Sequence, residues 1–307
     1  MIGMDKHRCT VPVLFLVFNR PGHTRATLGR LREVKPPRLY VHCDGPRPEV
    51  ANDAEKVKSV RALIEQEIDW PCDVFTLFRD ENMGLRKGVY GAISWFFEAE
   101  EKGIVLEDDC VPDPSFFPFC AELLDRYSHD EQIMHIGGSN LVAAVTEHLQ
   151  ESYVFSRFSF VWGWAGWRRA WTKMSPALDG LEDFDLGRYI PGKMSQAYMK
   201  DKFEATRGGR NNSWAYAWFY SIIKNNGICI VPKVNLVQNT GVGEEGATNT
   251  TGRNAAARLA AQSVSFPLQH PAGKKIDVKL EQRFFFATQK RQVRLWLWYL
   301  LHWLGLR

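Results

Sequence analysis

No Gly-rich phosphate loop is present in this chain. Neither G-x-x-x-x-G-K-[ST] nor a G-x-G-x-x-G after the first strand occurs, which argues against a kinase or a dinucleotide oxidoreductase. The six cysteines, at 9, 43, 72, 110, 120 and 229, form no C-x-x-C pair. A disulfide framework and a zinc site are both disfavoured, and a reducing cytosol fits. No apolar run reaches the roughly 18 residues that a spanning helix needs. The opening MIGMDKHRCTVPVLFLVF lacks the small-residue cleavage site of a signal peptide, and its apolar part reads as a strand. Net charge is only +4 over 307 residues, too slight an excess to argue for a nucleic-acid partner.

Aromatics, by contrast, are abundant, with eleven Trp and nineteen Phe. They fit either a large core or a face for a flat, sugar-like ligand. Residues 295–306, LWLWYLLHWLGL, follow Lys290, Arg291 and Arg294. This piece is too short to cross a bilayer but suits its interface, with Trp at headgroup depth and cations toward anionic lipid. Packing on its own domain or on a second subunit is the other reading.

Apolar strands and amphipathic helices alternate from 11 to 109. VPVLFLVF is a buried strand ending at Asn19-Arg20-Pro21-Gly22, and Thr24 is placed to cap a helix carrying Leu28, Leu31 and Val34. RLYVHCD stops at Asp44-Gly45-Pro46, and a helix follows over about 53–68. CDVFTLFRD leads through a Gly-containing loop to a helix with Val89, Ile93, Phe96 and Phe97. GIVLEDD is the fourth strand. The alternation predicts an α/β fold with a mostly parallel central sheet flanked by helices. Ligands of such sheets bind beyond the carboxyl ends of the strands, where Asn19, Asp44, the 79–85 loop and the acidic triplet Glu107-Asp108-Asp109 all fall. The second half is less regular: a helix at 116–127, a strand in QIMHIGG, an aromatic-rich stretch at 153–171, polar loop and short helix over 176–212, a helix at 214–226, and the strand ICIVP.

Three adjacent carboxylates at the mouth of a buried strand repel one another and resist desolvation, so a cation stabilises them. Mg²⁺ or Mn²⁺ binds through one or two carboxylates plus substrate phosphates. If the chain stays extended, Glu107 and Asp109 share one face. Such an ion bridging a diphosphate stabilises it as a leaving group. A solvated acidic turn is the plainer reading. Asp44 suits a ribose hydroxyl or a base N–H, or simply a turn, and Asn82-Met83-Gly84-Leu85 is a tight loop of the kind that admits close backbone approach.

FNRPGHTRATLGRL, YVHCDGPRP, RDENMGLRKGVYGAISWFFE and IVLEDDCVPDPSFFPF resemble the bacterial relatives of N-acetylglucosaminyltransferase I, within the GT-A fold glycosyltransferases. VWGWAGWRRAW at 161–171, the stretch 212–250 and SFPLQHP at 265–271 are similar to the same group, so the resemblance spans roughly 11–271. It implies a GT-A fold and a nucleotide-diphosphate sugar donor. Phe18, Asn19 and Arg20 would border the base, Asp44 the base or ribose, and Asn82 and Gly84 the nucleoside pocket. Asp108 would lie by the ribose or donor sugar, Glu107 against the sugar, and Asp109 would be the direct metal ligand. Trp162, Gly163 and Trp164 would wall the donor sugar and acceptor. The implied division is a nucleotide-sugar and metal half at 1–130, an acceptor half at 131–275, and a basic, Trp-rich tail at 276–307.

One departure matters. The group carries Trp-Asp where this chain has Trp214-Ala215, and that Asp is the expected general base of an inverting transfer. Ala215 cannot take a proton. Three readings follow: an engineered inactive variant, a substitute carboxylate such as Glu244 or Glu245, or a protein that binds donor without efficient transfer. The stretch 239–250 reads as a lid that excludes water from the donor, and His270 as a candidate third metal ligand. The acceptor expected is a surface glycan or a lipid-linked glycan, with the chain in the cytoplasm or peripheral on the inner face of the membrane. The rivals are a sugar nucleotidyltransferase, although Asn19-Arg20-Pro21-Gly22 poorly suits its usual basic Gly-rich loop, and a catalytically silent glycan-binding module.

Overall fold

A computed structural model describes residues 8–241, 259–287 and 300–301. Its centre is an eight-stranded sheet covered by helices. In chain order the strands are β1 (Val13–Val17), β2 (Arg38–Cys43), β3 (Asp73–Phe78), β4 (Lys102–Glu107), β5 (Cys110–Pro112), β6 (Ile133–Gly137), β7 (Tyr153–Ser156), β8 (Trp164–Trp167), β9 (Ile228–Pro232) and β10 (Val237–Asn239). The helices are α1 (Pro21–Val34), α2 (Asp53–Glu67), α3 (Leu85–Ala99), α4 (Phe116–Arg126), α5 (Ala143–Thr146), α6 (Arg168–Trp171), α7 (Lys193–Arg207), α8 (Trp214–Lys224) and α9 (Val278–Ala287).

The large sheet runs β3-β2-β1-β4-β8-β6-β9-β7, and β10 and β5 form a separate ribbon. Strands β3, β2, β1 and β4 are all parallel. This follows from the βαβ alternation, in which each crossover helix brings the chain back to start the next strand in the same direction; β1, β2 and β4 are largely buried, while β3 at the edge is exposed. The sheet then turns antiparallel at β8 and at β7. The fold is α/β with a mostly parallel central sheet flanked by helices, as the alternation predicts. One continuous sheet carries both halves of the chain, because β4 pairs directly with β8.

The core divides by sheet face. Phe15, Val17, Leu39, Val41 and Cys43 meet α1, α2 and α4 on one side, while Leu14, Leu16 and Tyr40 meet α3 and a tryptophan cluster on the other. Three local expectations change. Helix α1 begins at Pro21, because proline's fixed φ suits the first helical turn. Thr24 therefore lies inside the helix, with its hydroxyl donating to the Arg20 carbonyl at 3.0 Å. The polar stretch 176–212 contains the fifteen-residue helix α7, whose Met199 and Phe203 pack into a third apolar cluster with Phe219 and Tyr220. Finally, β4 stops at Glu107 and the chain turns at Asp108-Asp109. The alternation that put Glu107 and Asp109 on one face does not extend past the strand.

Candidate functional site

The carboxyl ends of β1, β2, β3 and β4 lie side by side, and the residues that follow them knit into one polar edge. After β1, Asn19 donates to Asp53 Oδ1 at 2.5 Å. Asp53, the first residue of α2 and 1% exposed, also accepts from the Arg47 backbone N–H at 2.8 Å and from its guanidinium at 2.9 and 3.1 Å. Arg47's hydrogen bonds hold the Asp53 carboxyl down to about 2. The same guanidinium sits 5.2 Å from the Phe18 ring centre, a cation–π distance. Arg47 and Asp53 are absent from the sequence-based set. No linear pattern marks them, since Asn19 and Asp53 are joined only by the parallel pairing of β1 with β2.

After β2, Asp44 is spent on the neighbouring loop. Its Oδ1 accepts from Gly45 N at 3.0 Å and Met83 N at 2.9 Å, and its Oδ2 from Met83 N and Gly84 N at 3.1 Å each. Asn82 Nδ2 donates to the Gly45 carbonyl at 2.7 Å. Gly84 has φ of +74°, a region open to glycine and strained for most residues. Asp44 thus clamps the loop that opens α3, and each of its oxygens already has two donors. Asn82 and Gly84 belong to that clamped loop.

After β4, Glu107 is half-buried, and Asp108 and Asp109 are buried. The turn is tied down from two sides. Thr27 of α1 donates to the Asp108 carbonyl at 2.7 Å, and Thr240 donates its backbone N–H to the Asp109 carbonyl at 2.8 Å. His23 Nδ1 lies 2.9 Å from the Thr240 hydroxyl oxygen. The decisive contact comes from Arg20. Its guanidinium pairs with both oxygens of Asp108 and with Asp109 Oδ2 at 3.0 Å. The triplet therefore already holds one built-in cation.

One guanidinium faces three carboxylates, and the imbalance shows in their acidity. Burial, then repulsion from Asp109 and Asp108, pushes the Glu107 carboxyl above the usual range. Burial also raises Asp108, with Arg20 opposing it. Among the described residues, Glu107 makes no side-chain hydrogen bond, and no group of three or more His, Cys, Asp or Glu side chains is placed to grip a metal ion alone. An all-protein metal cage is therefore not what these residues form. The unbalanced, all-oxygen donor set fits a hard divalent ion that takes one or two carboxylates and completes its shell with phosphate and water.

The tryptophans separate sharply. Trp164, the first residue of β8, is 1% exposed. Its ring stacks on His135 at 5.1 Å and lies 6.0–6.2 Å from Trp171, Trp214 and Trp218. Trp164 is a core residue and offers no face to a sugar. Trp162 remains half-buried. Val105 pairs with Trp164 at the start of β8, and Trp162, just before that strand, packs against the same apolar cluster as Phe18. Gly163 has φ of +65°, with Leu106 and Val237 filling the space a Cβ would need.

Ala215 is half-buried near the start of α8 and packs, with Leu85 and Tyr90, against the tryptophan cluster. Helices α3 and α8 are in contact. His270 is elsewhere: Nε2 is 3.1 Å from Glu122 Oε1 and Nδ1 is 3.0 Å from the Tyr153 hydroxyl. Tyr153 belongs to β7, four strands from β4, or roughly 19 Å at ordinary strand spacing. His270 is not a third ligand beside Asp109, because both its nitrogens are engaged at the far edge of the sheet. Glu244, Glu245 and most of the 239–250 stretch lie outside the described residues, as does nearly all of the 295–306 segment. Among the described residues, no helix is long and apolar enough to cross a membrane.

No protein-family model matches the chain, and no curated protein matches it. Solved structures share parts of the architecture at low identity. A UDP-glucose pyrophosphorylase complexed with UDP-glucose is 11% identical, with 75% of this chain and 93% of that one covered at a TM-score of 0.40. The apo form of a UDP-glucose pyrophosphorylase is 10% identical, with 74% and 93% covered at 0.35. HddC from Yersinia pseudotuberculosis is 12% identical, with 57% and 87% covered at 0.33.

Proposed function

We propose that this protein is an enzyme that uses a nucleotide-diphosphate sugar, and more specifically a metal-dependent inverting glycosyltransferase with a uridine-type donor. One observation carries the reading: four strand ends of a parallel sheet deliver Phe18 to Arg20, Asp44 with the 82–84 loop, and Glu107 to Asp109 to a single polar edge. Parallel α/β sheets bind ligands beyond these ends. Phe18, backed by the Arg47–Asp53 pair, supplies an apolar flank for a base. Asp44 acts by holding the Asn82–Gly84 backbone in place for the nucleoside.

Asp109 would hold Mn²⁺ or Mg²⁺ together with the donor diphosphate, with Glu107 against the donor sugar. A divalent ion there supplies Lewis-acid stabilisation of the departing diphosphate. Arg20 balances Asp108 and keeps the turn compact whether or not donor is bound. Trp162, half-buried just before β8, flanks the donor sugar. The acceptor is a surface or lipid-linked glycan, and the 295–306 segment holds the enzyme against a membrane surface. No side chain at Ala215 takes the acceptor proton, so that step falls to another carboxylate, with Glu244 the candidate.

Thermal denaturation with UDP, GDP and CMP, each with and without Mn²⁺, tests the reading. A nucleotide diphosphate at a hundred times its Kd stabilises by about 2.7 kcal/mol. Stabilisation by one nucleotide, and only with metal, is the expected result. A fold indifferent to all three nucleotides would defeat it.

A further inference from the structure

We propose that β3 is a dimerisation strand, through which two copies of this chain join their large sheets into one. The two ends of the sheet are treated differently. At the β7 edge, Phe155 makes a parallel bridge to Ile276, so a following segment covers that strand. At the β3 edge, the only strand partner among the described residues is β2. Natural edge strands are commonly guarded by lysine, proline, a bulge or shortness. The six residues of β3, DVFTLF, contain neither lysine nor proline and pair with β2 over their full length without a register shift. Val74 and Phe75 are 40% and 42% exposed, the Phe75 ring stacked on Tyr40 at 4.7 Å.

The hydrogen-bonding pattern selects the partner. Asp73 N donates to the Pro37 carbonyl and Arg79 N to the Cys43 carbonyl, both toward β2. Alternation then turns the N–H and C=O groups of Val74, Thr76 and Phe78 outward. A second copy running antiparallel about Thr76 sets Thr76 opposite Thr76 and Val74 opposite Phe78. These are the positions whose outward groups exchange paired bonds. The same register sets Phe75 opposite Leu77, and Asp73 opposite Arg79. The two apolar positions meet apolar positions, and the acid at one end of the strand meets the base at the other. A strand from an unrelated protein has no reason to match this self-complementary order. The two acidic sites then open toward opposite ends of the joined sheet.

The test is sedimentation velocity on the full chain across a concentration series. The unaltered protein should move toward a dimer as concentration rises. Thr76→Pro removes the outward N–H on the two-fold axis without touching a bond to β2 and should leave a monomer with unchanged far-ultraviolet circular dichroism. Because proline can also disturb folding, Val74→Lys provides a second arm. It leaves the backbone intact, sets two charges into the interface, and should raise the dimer dissociation constant roughly tenfold or more. An unaltered chain that stays monomeric throughout, or a dimer that keeps its strength in the folded variants, would overturn the proposal.

Discussion

Arg20 Nη1 lies 3.0 Å from Asp109 Oδ2, so the residue that precedes α1 supplies a fixed cation to the carboxylate proposed as metal ligand in the turn after β4. The same guanidinium grips Asp108. Gly241 closes over this contact, since a Cβ there would run into both Asp109 and Arg20. One guanidinium pairs with two of the three carboxylates and leaves Glu107 without a partner among the described residues, which leaves room in the charge balance for one more cation.

Replacing that guanidinium exposes the balance. In Arg20→Met, Asp108 and Asp109 lose their buried partner at a cost of roughly 3 kcal/mol in metal-free buffer. Millimolar Mn²⁺ should return part of the lost melting temperature. A variant destabilised equally with and without Mn²⁺ would show that the turn does not accept a divalent ion.

Asp44→Asn changes one oxygen into a donor while four backbone contacts from Gly45, Met83 and Gly84 still require an acceptor. Losing hydrogen bonds to a charged acceptor costs about 2–3 kcal/mol. Hydrogen exchange of the Met83 and Gly84 amides should accelerate, and nucleotide binding should weaken with them. Unchanged exchange at both amides would contradict the clamp.

The two tryptophans should part company. Trp164→Ala opens a cavity among His135, Trp171, Trp214 and Trp218, with a loss of roughly 3–5 kcal/mol in denaturant unfolding. Trp162→Ala should cost under about 1.5 kcal/mol, less than full burial of a large side chain is worth, and should act on sugar-nucleotide affinity instead. If Trp162→Ala leaves that affinity intact, the sugar does not lie against Trp162.

Acid should unfold the protein through two buried histidines. Burial lowers His135 and His42 from 6.5 to about 4. His135 Nε2 lies 3.0 Å from the Phe160 carbonyl and its Nδ1 accepts from Trp218 Nε1 at 3.3 Å, a pairing that the neutral ring alone satisfies. The unfolded chain therefore takes up protons before the folded one. The share of stability held by the two neutral histidines is intact above pH 6.5 and declines as pH falls toward 4, by up to about 1.4 kcal/mol per pH unit per histidine, while the raised Glu107 and Asp108 carboxyls act in the opposite direction. Against the unaltered chain, His135→Gln should remove one histidine's share of the pH dependence, up to about 1.4 kcal/mol per pH unit between pH 6.5 and 4. An unaltered slope would place the titration elsewhere.

Ala215→Asp puts an acid in the first turn of α8, where the helix dipole favours it. With Glu244 as the proposed base, the transfer rate is expected to stay near that of the unaltered chain, whereas a gain of roughly a hundredfold, within the 10²–10⁴-fold that a general base contributes, would overturn that assignment and place the missing base at 215. Equal rates would mean that the base is supplied from another position.

The sequence by itself determined the alternation of strand and helix, the parallel first half of the sheet, and the list of polar residues at its strand ends. These rest on period and turn chemistry, which are local. Only the tertiary structure decided what those polar residues touch. That Arg20 meets Asp108 and Asp109, that Asp53 anchors Asn19, and that Asp44 spends its oxygens on Met83 and Gly84 are contacts between residues 34 to 89 positions apart. The parallel register of the strands creates them, and no window of sequence contains both partners. The same holds for the tryptophans: Trp162 and Trp164 are alike in composition and neighbours in the chain. Strand β8 starts between them, so Trp164 enters the tryptophan cluster while Trp162 stays half-buried outside it.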